Sequence, residues 1–217
     1  FTRAEVHELE RGEPVRRPRA QQRAGQHFVG GTAWRVIPRP IAEVWRGVED
    51  ADHLCDMLPQ CVEQRVLSRA EARRTLRFTH EYGPIRASYH VRVELRPDAR
   101  DVSFRLDRSR PNDVRDAWGF LELSPYRGQA DRTLVTWGVM ADPGSRIMTG
   151  VLGGAVQASL LRVPDEMYDY LMGPARARSG RTLATRGVLG DGAGLWGAAL
   201  DAVPDPVIAL DGEGSIV

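Results

Sequence analysis

The chain has 217 residues, a formal net charge of +1, 42% hydrophobic residues and 27% charged residues. This length fits one good-sized domain with extensions, or two very small domains. The near-zero charge gives no electrostatic reason to expect nucleic acid as a partner. No apolar run approaches the ~20 residues of a membrane span, so we predict no transmembrane segment. The first residue is Phe1, which is compatible with a removed signal peptide, so an exported and a cytoplasmic location both stay open.

The first 24 residues are charged and have little apolar period, although a short helix fits residues 4–11. We therefore predict an N-terminal arm over residues 1–24 rather than a part of the core. A strand is expected over residues 26–37, interrupted by Gly30-Gly31, which indicates a bulge or a bend. Two short helices are expected next, over residues 41–49 and 50–58.

Two cysteines, Cys55 and Cys61, lie on either side of Pro59. In an exported protein such a pair forms a disulfide, whereas in a cytosolic protein the two residues are ordinary buried thiols. Together with His53 they supply too few ligands for a zinc site, so we predict no metal. No glycine-rich phosphate loop follows a strand and no serine sits in a nucleophile elbow, so we predict no cofactor.

After Pro59 the spacing of apolar residues changes to two, which is typical of half-buried antiparallel strands. The alternation is cleanest over residues 85–95. There Tyr89 and Val91 are expected to be buried, while Arg86, His90 and Arg92 point away. In all, the pattern predicts strands over residues 62–67, 75–82, 85–95, 102–106, 114–123 and 133–141.

Residues 145–171 carry apolar side chains three or four apart, which predicts one long helix. Pro164 should kink or divide this helix, because proline lacks the backbone donor that the helix needs. Gly150, Gly153 and Gly154 leave a bare surface that a second backbone or a ligand can approach. Beyond it, residues 174–217 are predicted to be a glycine-rich, mostly mobile tail. The alternative is that its apolar cluster around Trp196 docks onto the domain or onto a protein partner.

This order of elements resembles the START-like, or polyketide cyclase/dehydrase (SRPBCC), superfamily, whose fold is called the helix-grip. The resemblance covers residues 32–171. It depends on Pro40-Ile41-Ala42-Glu43-Val44-Trp45, on Leu58-Pro59 before a strand, on Gly119-Phe120-Leu121-Glu122-Leu123, and on Asp142-Pro143 before the long helix. The resemblance implies an α+β fold over residues 25–173. In it, a curved antiparallel sheet wraps around the C-terminal helix, with two short helices after the first strand.

In such a fold an apolar cavity lies between the sheet and the helix. The implied wall residues on the sheet are Phe78, His80, Tyr82, Ala87, Tyr89, Val91, Phe104, Leu121 and Trp137. Those on the helix are Met148, Leu152 and Val156. Strand alternation places His80 on this apolar face, either as an acid–base or hydrogen-bonding group or as a histidine held by its neighbours. His80 is thus the one weak catalytic candidate.

The sequence supports three functions of different classes. The first is binding or transport of a hydrophobic small molecule such as a lipid, isoprenoid, quinone or polyketide-like compound. The alternative is a polyketide cyclase or dehydratase in which His80 and a tyrosine assist proton transfer. The second alternative is a protein-interaction module, for which a filled core without a cavity is expected. Fold alone does not decide among them.

Overall fold

A computed structural model of the protein describes residues 1–23, 25–83, 85–144 and 151–173, and only the backbone of residues 151 and 152. The helices are α1 (Arg3–Glu10), α2 (Ile41–Glu49), α3 (Val151–Leu160) and α4 (Val163–Met172), with a 3₁₀ helix over Leu54–Met57. The strands are β1 (Val15–Arg23), β2 (Gln26–Ile37), β3 (Cys61–Arg69), β4 (Arg73–Tyr82), β5 (Ile85–Arg96), β6 (Asp101–Leu106), β7 (Asp116–Tyr126) and β8 (Gln129–Asp142).

The strands form one curved, entirely antiparallel sheet in the order β1-β2-β8-β7-β6-β5-β4-β3. After β2 the chain crosses to the opposite edge through α2 and the 3₁₀ helix, and then returns strand by strand until β8 pairs with β2. Helices α3 and α4 follow β8, and α4 packs on β2, β8 and the 3₁₀ helix. The predicted α+β helix-grip architecture is confirmed.

The burial pattern of β5 confirms the parity predicted from its alternating sequence. Val91 is buried, whereas Arg86 and Arg92 are exposed on the other face. Tyr89 faces the helices, where it packs near Leu160, and is half-buried. The half-buried His90 lies on the outer face. Period-two patterning therefore assigned both faces of the sheet correctly.

The structure differs from the predicted N-terminal arm. Helix α1 and strand β1 belong to the folded domain, because Leu9 and Val15 are almost fully buried against Val36 and Tyr126. Arg35 precedes Val36 on β2, and its side chain contacts Asp165 of α4. Val36 therefore points to the opposite face of β2. Helix α1 thus covers the face of the sheet that α3 and α4 leave open.

Strand β1 has little apolar patterning because it is an edge strand, with one neighbour, β2. An edge position also tolerates Pro18, which has no N–H to donate to a second neighbour. Helix α1 does carry a sequence signal, the capping box Thr2-x-x-Glu5. The Thr2 hydroxyl accepts a bond from the Glu5 backbone N–H, and the Glu5 carboxylate accepts one from the Thr2 backbone N–H.

Gly30 and Gly31 produce a close approach of strands rather than a bulge. The pairing of β2 with both neighbours continues through them without a register shift. A Cβ at Gly30 would lie 1.9 Å from the Val139 carbonyl oxygen, and both glycines have φ in the left-handed range. The Gln157 amide of α3 donates to the carbonyls of Gly30 and Arg19 at 3.0 and 2.8 Å. Helix α3 is therefore hydrogen-bonded to the sheet at the glycine pair of β2.

The second predicted short helix is reduced to the single 3₁₀ turn. Its first residues form a turn instead, because the Asp50 carboxylate accepts a bond from the Asp52 backbone N–H and bonds the His53 ring at 2.8 Å. Cys55 and Cys61 form a disulfide with their Cα atoms 5.3 Å apart. Of the two alternatives that the sequence left open, the structure has the paired cysteines.

The chain breaks its C-terminal helix close to Pro164, as predicted. Helix α3 ends at Leu160 and α4 begins at Val163, with Pro164 in its first turn. Proline has no N–H for the carbonyl four residues earlier, that of Leu160. The Trp137 indole N–H donates to this carbonyl at 2.9 Å instead. The predicted helix start at residue 145 and the tail over residues 174–217 lie outside the described residues.

Asp165 joins α4 to the first two strands. Its carboxylate, on a residue 9% exposed, pairs with the Arg16 guanidinium of β1 and with that of Arg35 of β2. The second contact measures 2.7 Å, and the Arg35 guanidinium also stacks 4.0 Å above the Tyr168 ring. One carboxylate thus connects helix, edge strand and inner strand.

Candidate functional site

An apolar cavity of about 200 Å³ lies between the concave face of the sheet and helices α3 and α4. The sheet supplies most of its wall, because alternate residues of β4 to β8 point toward the helices. Leu58 and Pro59, beside the 3₁₀ helix, close part of the wall. Phe104 and Trp137 stack with ring centroids 5.0 Å apart and form a flat aromatic surface on one side.

The structure brings most of the predicted site residues together around this cavity. The lining residues among them are Phe78, His80, Tyr82, Ala87, Tyr89, Val91, Phe104, Leu121, Trp137 and Val156. Met148 lies outside the described residues. Leu152 lies in α3, but its side chain is likewise not described. That any of these predicted site residues contacts a ligand stays a prediction.

His80 is 6% exposed, and both of its ring nitrogens have partners. The Pro59 carbonyl, which can only accept, lies 2.9 Å from Nδ1, so Nδ1 carries the proton. Burial lowers the pKa of His80 below its usual 6.5, which favours the neutral ring. Nε2 therefore accepts a bond from the Tyr89 hydroxyl, 3.0 Å away.

Two tyrosines flank the His80 ring as nearly parallel planes. The ring centroids of Tyr82 and Tyr89 lie 6.2 and 5.5 Å from that of His80. Burial raises the pKa of both phenols, so both hydroxyls stay protonated at neutral pH. The Tyr82 hydroxyl has a long contact of 3.4 Å with the Ser159 hydroxyl of α3. Four polar side chains thus meet at one end of the cavity.

Among the lining residues that sequence reasoning missed, three groups have different causes. Arg74 lines the cavity at the start of β4, and the alternation of that strand would have found it if extended one residue upstream. Ser159 belongs to the apolar face of the predicted helix, but its contact with Tyr82 depends on the packing of α3. The third group comes from the region of the second predicted short helix, whose contact with the cavity depends on the path of the chain before β3: Leu54, Met57, Leu58 and Pro59.

Within the part of the chain that the structure describes, no three histidine, cysteine, aspartate or glutamate side chains cluster as metal ligands do. In the same residues, no helix has both the length and the apolar character that crossing a bilayer requires.

Comparison with solved structures shows the same fold in proteins of low sequence identity. A protein of Thermus thermophilus is 19% identical with a TM-score of 0.54, covering 72% of this chain and 98% of its own. The Zhui aromatase/cyclase of Streptomyces sp. R1128 is 15% identical with a TM-score of 0.56, covering 75% and 100%. A STAR-related lipid transfer protein of Xanthomonas axonopodis is 12% identical with a TM-score of 0.55, covering 72% and 98%.

No curated protein matches the chain. A family model does match, over residues 37–167, which is more than half of the chain and includes the strands and helices that form the cavity. This protein belongs to the family described as polyketide cyclase / dehydrase and lipid transport.

Proposed function

We propose that the protein binds and carries a hydrophobic small molecule in the cavity between the sheet and helices α3 and α4. The observation that supports this proposal is an apolar cavity of about 200 Å³ inside the domain. An apolar cavity of about 150 Å³ is large enough to hold benzene. Burial of ligand surface would contribute about 25 cal/mol per Å², so affinity would come mainly from the apolar walls.

Filling the cavity should abolish this binding. Ala87 lies opposite His80 in the sheet, is 5% exposed and lines the cavity, so the larger indole of Ala87→Trp would occupy ligand space. We expect the affinity for naphthalene, measured by fluorescence, to fall at least about tenfold. Overpacking should lower the free energy of unfolding by about 1–3 kcal/mol without preventing folding.

The matched control is Ala42→Trp, which adds the same side chain at an exposed position of α2. This variant should bind naphthalene as the wild type does. Unchanged binding by a folded Ala87→Trp variant would place the probe elsewhere and contradict the proposal. A cavity is also evidence against the protein-interaction module, for which a filled core is expected.

A second candidate function, proton transfer on a bound polyketide, is supported by the contact between Tyr89 and His80. Because neutral His80 accepts the Tyr89 proton, the pair is arranged to act as a base. A ligand hydroxyl or acidic C–H would give its proton to the Tyr89 oxygen while Tyr89 gives its own to Nε2. The family description includes cyclases and dehydrases beside lipid transport, so it agrees with either function.

His80→Gln separates the two functions. If the protein is a carrier, naphthalene binding should be nearly unchanged. If it is a cyclase, turnover of a linear polyketide thioester should fall roughly 10²–10⁴-fold while binding persists. The neutral His80 ring is the base, and burial lowers its pKa below 6.5. The wild-type rate should therefore stay constant as the pH falls to 6.5 and should decline only at lower pH. His90→Gln, on the outer face, is the control, and equal losses in both variants would exclude a role for the His80 ring.

A further inference from the structure

One charged side chain belongs to the apolar cavity wall. Arg74 lies two residues before Leu76 on β4, so its side chain shares the inner face with Leu76 and Phe78. Its partner in the neighbouring strand is Val93, a buried residue of the same wall. All four residues line the cavity.

The Arg74 guanidinium is unpaired within the part of the chain that the structure describes. Its Nε is buried without a hydrogen bond, and the guanidinium forms no ion pair with any residue in the described ranges. Burial lowers the pKa of Arg74, and the nearby positive charge of Arg69 acts in the same direction. An arginine nevertheless stays protonated, so a half-buried positive charge with an unused Nε donor lies in the apolar wall.

The nearby carboxylates do not form an ion pair with this charge. Glu49, Asp50 and Asp52 lie close enough to favour the charged form, but none makes an ion pair with Arg74. Asp52 instead contacts Arg69 at 3.0 Å, and Asp50 contacts His53 at 2.8 Å. Arg74 is half-buried, and a partly buried guanidinium without an ion pair is positioned to bind an anion from outside the chain.

We propose that Arg74 is the anion-binding group of the cavity and that the ligand is an amphipathic acid whose carboxylate or phosphate it holds. This inference rests on the proposed ligand-binding function and specifies the chemistry of the ligand. The planar guanidinium would bind the anion through two parallel N–H donors, since both anions match its fork geometry. The apolar body of the ligand would lie along Leu76 and Phe78.

The ligand then has a defined orientation. His80 lies six residues after Arg74 on the same strand, a separation of about 20 Å at the rise of an extended chain. The anion would occupy the Arg74 end, while the uncharged end of the ligand points toward His80 and the tyrosines. A charge placed at the His80 end would find no cation among the described lining residues.

The test compares probes of one shape and different charge. Affinities of 2-naphthoate, 2-naphthyl phosphate and neutral 2-naphthamide are measured by calorimetry for wild type, Arg74→Gln, Arg74→Lys and Arg73→Gln. Arg73 is the matched control, because it neighbours Arg74 but is exposed on the outer face. We expect an anion to bind roughly 10- to 100-fold more tightly than the amide in wild type and in Arg73→Gln. Which anion is preferred identifies the headgroup.

Arg74→Gln should remove the preference and leave amide binding unchanged, whereas Arg74→Lys should keep part of it. Because Arg74 has no partner to lose, these variants should melt near the wild-type temperature. Equal affinities for anions and amide in wild type would overturn the inference while leaving the proposed function intact, as would a preference that survives Arg74→Gln. If neither anion nor amide binds, the proposed function itself fails.

Discussion

Replacing Asp165 by alanine is expected to lower the free energy of unfolding by about 3–5 kcal/mol, because it leaves two guanidinium groups without their shared carboxylate. The Arg35 side chain is only 16% exposed and cannot turn fully to water. At about 2–4 °C per kcal/mol for a chain of this size, the melting temperature should fall by roughly 6–20 °C. Denaturant titration with and without the substitution measures the loss directly.

Asp169→Ala is the control for this experiment, since Asp169 is an exposed carboxylate one turn further along α4. It should change the free energy of unfolding by less than about 0.5 kcal/mol. Asp165→Asn keeps the shape of the side chain and removes its charge. A loss of unfolding free energy smaller than that of Asp165→Ala would therefore separate the ionic contribution from that of the hydrogen bonds. A loss below about 1 kcal/mol for Asp165→Ala, well under the range for a broken buried pair, would show that α4 is held without this carboxylate.

Reduction of the disulfide between Cys55 and Cys61 should cost about 2–3 kcal/mol, the low end for disulfides, because the loop that it closes is short. This loop contains Pro59, whose carbonyl binds His80 and which lines the cavity. We therefore expect a weaker affinity for naphthalene as well as a lower melting temperature in reductant. Mass spectrometry under non-reducing conditions reports whether the bond is formed.

The variant in which both cysteines are replaced by serine is the control for reduction. It should melt at the temperature of the reduced wild type and should not respond to reductant. If reductant lowers the melting temperature of both proteins equally, the effect does not come from this bond. If reduced wild type keeps its stability and its affinity, the loop is held by its other contacts alone.

The strands after β1 could be predicted because each depends on a local pattern, whereas the cavity wall followed from the family resemblance. In β5 the alternation of Val91 with Arg86 and Arg92 assigns both faces, since a slip of one residue would expose every apolar side chain. The same parity placed Phe78 and His80 on the inner face. The break near Pro164 followed from the missing backbone donor.

Other features depend on contacts between distant segments, which local patterns do not report. Strand β1 is polar because it forms an edge, and its pairing with β2 and the packing of Val15 on Tyr126 show that it belongs to the domain. The Pro59 carbonyl meets His80 through a loop whose path the disulfide constrains. Arg74 lies one residue before the predicted strand, and its charged side chain interrupts the apolar pattern that identified the inner face.

Trp137 has two structural roles, and this limits which substitutions can enlarge the cavity. Its ring forms part of the wall with Phe104, and its N–H supplies the donor that Pro164 withholds from the Leu160 carbonyl. A smaller residue at Phe104 or Leu121 would enlarge the cavity at the cost of apolar packing alone. A smaller residue at Trp137 would also leave the Leu160 carbonyl without its hydrogen-bond donor. Substitutions that enlarge the cavity are therefore expected at the first two positions rather than at Trp137.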